Sequence, residues 1–320
     1  ASDVYKRQQK KYQFDLNLDH LNIDLFNQNL GFGKAIISGD LTIFLVGKSF
    51  DEIQGNLLFK NLKFVNANQS YSYNDFIIET KFLNGLRSLK TINSILVNFD
   101  LYGDFLLSEL PYLFQNAIAE VYSFIPSRKV KLRQNVTFDL SVFSGNLNAI
   151  FPDLSLYDGV SFRGVLSADK QVSRLKLNIP KIIYKETSFQ NIDFQLDNQN
   201  PFFNTYLTIG IINTDAIEIK EFITMSKDSK EGLLFRTEFE GGNSVSNMFE
   251  LNYIYLPDNN KSTFELKKSI ALINGNQWLI NPNNETDHLF EFDNLTKKIC
   301  LLYTSPSPRD RTRSRMPSSA

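Results

Sequence analysis

Histidine, cysteine and glycine-rich segments are the first places to look for chemistry in this chain. The two histidines, His20 and His288, lie far apart in the sequence. A metal site would need both imidazoles in one place with carboxylates around them. The segment LGFGKA (30–35) fails both the dinucleotide and the P-loop spacing, and the single cysteine, Cys300, cannot form an internal disulfide. We therefore expect no metal and no cofactor.

Carboxylates are numerous, but their spacing favours a solvated surface. Asp15 and Asp19 alternate with apolar residues along a strand-like segment, and Glu238 and Glu240 do the same near the other end of the chain. Such alternation is typical of the wet side of a sheet. It predicts no paired carboxylates for acid–base catalysis, and we expect no catalytic residue.

The two ends of the chain differ in composition from the remainder. The start, ASDVYKRQ, and the end, LLYTSPSPRDRTRSRMPSSA, resemble translated sequencing-adapter sequence, and from Thr304 onward Met316 is the one large apolar residue. A segment of that composition cannot build a core. We expect residues 1–8 and 300–320 to be foreign to the natural protein, with the latter disordered. Residues 9–299 are expected to form one continuous β-repeat region.

Charge and aromatic content bear on the class of function. The formal net charge is -1, whereas a nucleic-acid binder carries a clustered excess of basic charge, so we expect no nucleic-acid partner. Phenylalanine occurs 28 times and tryptophan once, at Trp278. Plentiful Phe without the polar handle of Trp favours a wide apolar surface over a hydrogen-bonding pocket.

Alternation of apolar and polar residues dominates the sequence and predicts β-strands. No series of helices lies between these segments, so the pattern favours a long antiparallel meander with one apolar face over a parallel sheet. That face can close on itself, pack on a second sheet or curl into an open trough. The clearest strand segments are Phe14–Leu18, Ile37–Leu45, Ile95–Leu101, Val136–Val142, Val160–Leu166 and Phe203–Ile211.

Residues 108–125 change to a helical period and predict one amphipathic helix. Ser108 is a suitable N-cap, Pro111 suits the first turn and Pro126 ends the helix. The polar side lacks Lys and Arg, which favours packing on the sheet over binding to an anionic membrane. A gate over an apolar channel is the alternative. The residues expected to pack on the sheet are Leu110, Leu113, Phe114, Ile118 and Val121.

The stretch from Asn84 to Ser127 resembles part of the TamB proteins of Bacteroidetes-type bacteria, which belong to the AsmA-like group. In that family a Gly-x-Arg turn opens a strand pair that ends in an x-Gly-x-Phe step. A Leu-Pro helix follows and closes with Tyr-Phe-Pro-Ser. The matching positions here are Gly85-Leu86-Arg87, Tyr102-Gly103-Asp104-Phe105, Leu110-Pro111 and Tyr122 to Ser127, with one-residue insertions around Tyr122 and Ile125. Upstream, Gly39 to Val65 is similar to the family's repeated Gly-x-Leu-x-Leu-x-Leu-x-Gly pattern.

The resemblance implies a mainly β fold, in which a long antiparallel meander curls into an open apolar trough (a β-taco-like shape). It implies a periplasm-spanning protein, held in the inner membrane by an anchor missing from this fragment. The implied role is to shield phospholipid acyl chains between the inner and outer membranes and to support outer-membrane protein assembly, with an outer-membrane barrel assembly protein as partner. The residues that would line the trough are Ile37, Leu41, Ile43, Val97, Phe99, Val136, Phe138, Leu140, Phe162, Leu207 and Ile209.

Two other functions remain open at this point. A structural or adhesive cell-surface β-repeat protein would have the same strands with a sealed core and would transport nothing. A β-sandwich or β-helix glycosidase would need two carboxyl groups about 5–10 Å apart in a polar cleft.

Overall fold

The computed structural model describes residues 10–22, 35–66, 70–122, 124–143, 153–169, 172–229, 232–241, 245–256, 258, 260–273, 275–284, 288–296 and 298–303. Residues 1–8 and 304–320, like most of the LGFGKA segment, lie outside these ranges. Residues 300–303 of the predicted tail lie within a strand. The chain divides into two compact units, Ala1–Ile223 and Thr224–Ala320.

In the first unit, antiparallel pairing follows chain order with two short side branches. It runs from β1 to β2 and β3, where β4 and β5 both pair with β3. It then continues through β5, β6, β7, β8, β10, β11, β12 and β13, and β9 pairs with the end of β11. The strands are β1 (Lys10–Asn22), β2 (Ala35–Gly47), β3 (Gln54–Asn66), β4 (Ser70–Ser72), β5 (Phe76–Leu83), β6 (Leu86–Ile92), β7 (Val97–Asp104), β8 (Asn135–Val142), β9 (Leu154–Leu156), β10 (Val160–Ser167), β11 (Val172–Tyr184), β12 (Thr187–Asp197) and β13 (Thr205–Asn213).

The strand β14 (Glu218–Ser229) contains the boundary between the units. In the second unit β15 pairs with β16, and β16 pairs with both β17 and β18. One branch continues from β17 to β20 and β21, and the other from β18 to β19. The strands are β15 (Gly232–Gly241), β16 (Val245–Leu256), β17 (Lys261–Leu266), β18 (Ser269–Ile273), β19 (Asn276–Ile280), β20 (His288–Asp293) and β21 (Ile299–Tyr303).

The prediction of a mainly β, antiparallel meander with one α-helix is confirmed for the described residues. A single turn of 3₁₀-helix, Phe50–Glu52, joins β2 to β3. No helix among the described residues combines the length and the hydropathy that a membrane span requires.

The helix, α1 (Leu110–Ala119), is shorter than the predicted 108–125. The N-cap position is Glu109 and not Ser108. Ser108 lies outside the helix, where its backbone N–H and its hydroxyl both donate to the Asp51 carboxylate, at 2.9 and 2.8 Å. Pro111 lies in the first turn, as predicted. Beyond Ala119 the chain continues in single turns, in which the Tyr122 N–H donates to the Ile118 carbonyl at 2.9 Å. The difference therefore lies at the two ends of the helix.

Candidate functional site

The apolar face of the first unit is built from rows that run across the strands. Residues directly opposite each other in an antiparallel pair project to the same face of the sheet. Following these pairs from strand to strand therefore traces a row of side chains perpendicular to the strands. Three such rows between β7 and β13 contain most of the residues predicted to line a trough.

The middle of these rows, here called the central row, alternates Phe and Leu along six strands. Each member is the direct partner of the next. All six side chains are half-buried, so each keeps part of its surface open to solvent. The row carries no polar atom on its side chains. Its members, in order from β7 to β13, are Phe99, Leu140, Phe162, Leu177, Phe194 and Leu207.

On one side of the central row lies a row of β-branched residues, here called the Val/Ile row. Val160 and Ile209 within it are 6% and 9% exposed, and the other members are half-buried. Val and Ile have one strongly preferred side-chain rotamer in many settings, so this wall is stiff. Its members are Val97, Val142 and Val160, paired in succession, and Ile179, Ile192 and Ile209, also paired in succession.

On the other side lies the helix row, which α1 covers. Phe138, Leu175 and Leu196 in this row are 4%, 6% and 1% exposed. At Gly164 an added Cβ would lie 2.9 Å from the Phe138 ring and 2.3 Å from the Arg174 carbonyl, so the missing side chain is what lets this part of the row pack. The members are Leu101, Phe138, Gly164, Leu175, Leu196 and Thr205.

The helix α1 runs across the strands and forms a roof over the helix row. Phe114 lies edge-on to Phe138, with ring centroids 5.0 Å apart, and 6.1 Å from Phe162 on β10. Further along, the Tyr122 hydroxyl lies 3.4 Å from Thr205 Oγ1 on β13. From Phe114 to Tyr122 the chain advances eight residues, or about 12 Å in a helical conformation. This length is close to the three strand spacings, each of about 4.8 Å, that separate β10 from β13. The apolar stripe of α1 therefore faces the sheet.

The predicted packing residues of α1 divide into two groups. Leu113 and Val121 are buried, at 4% and 5% exposure, and Leu110 and Phe114 are half-buried. Ile118 is 38% exposed and does not belong to the buried stripe. Ala117, at 1% exposure, takes the central place, because positions 113, 117 and 121 repeat every four residues along one side.

Two glutamates and a buried glutamine hold the ends of α1 to the sheet. The Gln134 side chain, 3% exposed, accepts from the Leu106 N–H at 2.9 Å and donates to Glu109 at 2.7 Å. At the other end, Glu120 accepts hydrogen bonds from the side chains of Ser173 and Asn198. Burial raises the pKa of Glu120 above its ordinary value, although these two hydrogen bonds act to lower it.

The same apolar face extends over β1, β2, β3 and β5. Leu41 is the partner of Leu16 and Phe59, and Ile43 is the partner of Phe14 and Leu57. Leu41 and Ile43 are half-buried, and Phe14 and Leu16 on β1 are 53% and 44% exposed. In the described pairings β1 is joined to β2 alone, so its apolar side chains end the face at an open edge.

The pairing places all eleven predicted lining residues on this one face. Ile37, Leu41 and Ile43 lie on β2 in rows shared with β1 and β3. Eight of the eleven are half-buried and three are buried, namely Val136, Phe138 and Ile209, at 0%, 4% and 9% exposure. Val136 and Phe138 lie where α1 packs, so they are structural core positions. The half-buried residues are Ile37, Leu41, Ile43, Val97, Phe99, Leu140, Phe162 and Leu207.

The opposite face of the first unit carries most of the charges, together with exposed apolar side chains such as Phe44, which is 48% exposed. Thr42 Oγ1 donates to Asp15 at 2.8 Å, and Asn17 donates to Asp40 at 2.8 Å, in both cases between β1 and β2. Hydrogen bonds from Asn61 and Asn17 lower the pKa of Asp40. These carboxylates are thus bound to neighbouring polar side chains on the wet face. Among the described residues no cluster of three or more His, Cys, Asp or Glu side chains is arranged to hold a metal ion.

One charged side chain, Arg87, is buried on the apolar side of the sheet at 1% exposure. Its guanidinium donates to the carbonyls of Ile53 and Asp51 and to Thr80 Oγ1, the first and last at 3.0 and 2.9 Å. It also lies over the Phe82 ring, 4.4 Å from the centroid. Burial lowers the pKa of Arg87, and the Asp51 carboxylate partly offsets this. Arg87 thus fastens the β2–β3 connection onto the face.

The second unit has an apolar face of its own. Tyr253, Phe264 and Phe290 are partnered in succession on β16, β17 and β20. A depression of about 480 Å³ lies on this face, and the Glu291 carboxylate at its edge is 2.6 Å from Lys261 Nζ. The depression is lined by Leu251, Phe264, Phe290, Glu291, Phe292 and Ile299.

Sequence reasoning missed the residues that complete the face. Leu177, Phe194 and Ile192 have the same alternation as the predicted lining residues, and the pattern could have identified them. The burial of Arg87 and Gln134 has no local signal, because their partners come from distant parts of the chain. No protein-family model matches this chain, and neither a curated protein nor a solved structure is significantly similar to it.

Proposed function

We propose that the apolar face of the first unit shields the acyl chains of phospholipid from water. The observation that carries the proposal is the central row, in which six Phe and Leu side chains from six strands lie side by side and half-buried, each with part of its surface open to solvent. Monomeric soluble proteins rarely leave a contiguous apolar surface of this kind without a use for it. The charged side chains on the opposite face of the sheet keep that face hydrated.

The physical basis of binding is the burial of methylene groups. Each methylene transferred from water to an apolar surface gains about 0.8 kcal/mol. The contacts are non-directional, so a chain displaced by one position along the row exchanges equivalent contacts. A row without hydrogen-bonding atoms therefore allows lipid to slide and gives it no fixed register.

The cellular role proposed here follows from the resemblance to TamB and AsmA-like proteins. The chain would be a fragment of a periplasm-spanning envelope protein with an inner-membrane anchor. It would shield phospholipid between the inner and outer membranes and support outer-membrane protein assembly together with an outer-membrane barrel assembly protein. No catalytic role is part of the proposal.

A structural or adhesive protein with a sealed core is the competing function, and one observation favours it locally. Under α1 the face is buried, with Val136 at 0% and Phe138 at 4% exposure, as in an ordinary core. The competing function requires such burial along the whole central row. The half-buried state of that row is the reason for preferring lipid binding.

Mass spectrometry of the purified protein tests the proposal. The chain is expressed in a Gram-negative bacterium, purified without detergent, and its organic extract is analysed for phospholipid. We expect phospholipid in molar proportion to protein, retained through gel filtration. A lipid content equal to that of an unrelated β-sandwich protein purified in parallel would contradict the proposal.

A further inference from the structure

A cavity of about 340 Å³ lies beside the second half of α1. Its lining includes Leu166 and Ser173, which are direct partners on β10 and β11 and are both buried. This pair lies one step beyond the helix row, on the side away from the central row, so α1 separates the cavity from the central row. The volume lies within the range of small-molecule sites. Most of the lining side chains are small, among them Ala117, Ala119, Ser127, Ser167 and Ala168.

Two side chains of opposite charge, Glu120 and Arg128, also line the cavity, and both are exposed to solvent. The Ser173 hydroxyl and the Asn198 side-chain amide donate to the same carboxylate oxygen, Oε2 of Glu120. A carboxylate accepts hydrogen bonds through both of its oxygens, and no residue in the described part of the chain donates to Oε1. Glu120 is thus fixed by one oxygen, while the other is available to a ligand.

Arg128 is fixed by its backbone. Asn116 on α1 accepts from the Arg128 N–H at 2.7 Å and donates to the Arg128 carbonyl at 2.8 Å. Among the described residues the Arg128 guanidinium has no hydrogen bond and no ion pair, with Glu120 or with any other carboxylate. Asn116 and Glu120 are four residues apart, or about 6 Å along the helix. The two charges therefore enter the cavity from positions about one helical turn apart and do not neutralise each other.

The surroundings of each charge favour a different group on a ligand. The helix α1 ends at Ala119, directly before Glu120, and the negative end of a helix dipole attracts a cation. Arginine binds phosphate oxygens through paired, charge-assisted hydrogen bonds. Ser127, next to Arg128 in the lining, adds a hydroxyl donor on that side. One side of the cavity thus suits an ammonium group and the other suits a phosphate.

We propose that this cavity binds a small zwitterion in which a short chain joins an ammonium group to a phosphate, as in phosphoethanolamine. Glu120 Oε1 accepts a hydrogen bond from the ammonium, and the Arg128 guanidinium and the Ser127 hydroxyl donate to the phosphate. The site does not depend on the proposed function, because α1 separates it from the central row. The same two groups occur in a free phosphate monoester and in the diester of a phospholipid headgroup.

Isothermal titration calorimetry of the purified chain at low ionic strength tests the proposal. The zwitterionic probes are phosphoethanolamine and glycerophosphoethanolamine, and the half-molecules are ethanolamine and glycerol 3-phosphate. We expect a zwitterion to bind more than about tenfold more tightly than either half-molecule, because each half-molecule lacks one charge-assisted hydrogen bond. Tighter binding of the monoester supports a free ligand, and tighter binding of the diester supports a lipid headgroup. A higher affinity for 4-aminobutyrate than for both zwitterions would overturn the assignment of phosphate.

Two variants remove one charge each and keep the hydrogen bonds that position the residue. Glu120→Gln retains an oxygen that can accept from Ser173 and Asn198, and it replaces Oε1 by an amide that cannot accept. Arg128→Gln leaves the backbone bonds to Asn116 in place. Lys129→Gln is the matched control, because this neighbouring lysine is exposed and does not line the cavity.

We expect Glu120→Gln and Arg128→Gln each to bind phosphoethanolamine at least about tenfold more weakly, and Lys129→Gln to stay within about threefold of the parent chain. Glu120→Gln should leave the affinity for glycerol 3-phosphate unchanged, which separates a lost contact from misfolding. The proposal is overturned if the parent chain binds phosphoethanolamine no more tightly than its half-molecules, or if either folded variant keeps the parent affinity. None of the probes has an acyl chain, so these outcomes leave lipid binding to the central row untouched.

Discussion

A single carboxylate placed in the central row should abolish lipid binding, whereas the same group one residue away should not. Leu140 is the direct partner of Phe99 and Phe162 and is half-buried. The next residue, Ser141, projects to the opposite face between Asn98 and Ser161. Leu140→Asp and Ser141→Asp therefore introduce the same charge into the same strand on the two faces of the sheet.

The magnitude follows from the spacing of the strands. Strands lie about 4.8 Å apart, which is the length of about four methylenes of an extended chain. An ionised carboxylate with its bound water at Leu140 would exclude these four groups from the face, at about 0.8 kcal/mol each. The loss of about 3 kcal/mol corresponds to an affinity more than about a hundredfold weaker. Leu140→Asp should also lower the free energy of unfolding, by about 1–2 kcal/mol, because its side chain is half-buried.

Titration of cis-parinarate fluorescence measures the affinity, and urea denaturation measures the stability. Ser141→Asp should bind within about threefold of the parent chain. If Leu140→Asp is too unstable, Leu140→Asn provides a neutral polar replacement with a smaller expected loss. Equal affinities for folded Leu140→Asp and Ser141→Asp would refute the assignment of the hydrocarbon to the central row.

Three further predictions concern the residues that hold the face together. Arg87→Met should lower the free energy of unfolding by about 2–4 kcal/mol, because the partly buried carbonyls of Asp51 and Ile53 lose their donor. A loss below about 1 kcal/mol in urea denaturation would argue against these bonds. Gly103→Ala should lower the free energy of unfolding by more than about 2 kcal/mol, because Gly103 has a φ of +152° and the added Cβ would lie 2.2 Å from a backbone carbonyl oxygen. Gly85→Ala is the control, because its Cβ would meet open space, and it should lower the free energy of unfolding by about 1 kcal/mol. Similar melting temperatures for the two variants would contradict the strain at Gly103. The pKa of Glu120 is raised above 4.5 by burial, so the folded state holds this proton more tightly than the unfolded chain. Stability should therefore fall as the pH rises from 4.5 through the folded pKa, and Glu120→Gln should remove that part of the slope in thermal melts; an identical slope in the variant would count against it.

Alternation in the sequence was sufficient to predict which residues share a face. Phe14, Leu16 and Leu18 are even-numbered and Leu21 is odd-numbered. The structure accounts for this change, because a register shift lies between Leu18 and Leu21. The predicted lining residues could therefore be grouped on one face without knowledge of the pairing between strands. Alternation is a local property, so a single strand contains all the information that this assignment needs.

The rows could not be predicted, because they depend on the register between strands. The sequence around Leu140 and Phe162 does not indicate that these two residues are partners. Their pairing nevertheless creates the Phe–Leu alternation of the central row. The predicted bounds of α1 were wrong for a related reason. Ser108 has the residue type of an N-cap, but it donates two hydrogen bonds to Asp51, far away in the sequence, and the helix begins one residue later, with Glu109 at the N-cap.

Arg87 illustrates the limit of motif reasoning. The Gly-x-Arg turn identified the position, and the resemblance gave it no structural role. Its burial depends on carbonyls of the β2–β3 connection that approach from more than thirty residues away. A buried cation of this kind is stable only when such partners surround it, and these partners are visible only in the folded chain.

Photo-crosslinking from the central row tests most directly whether this face is open to hydrocarbon. Phe194 is replaced by the photoreactive p-benzoylphenylalanine, and Gln195, which projects to the opposite face, is replaced in a matched variant. After irradiation in living bacteria, mass spectrometry identifies what has been captured. Phospholipid adducts at position 194 and none at position 195 are the expected result. Adducts to other side chains of the chain itself at position 194, without lipid, would mean that the face is sealed and that no hydrocarbon lies along it.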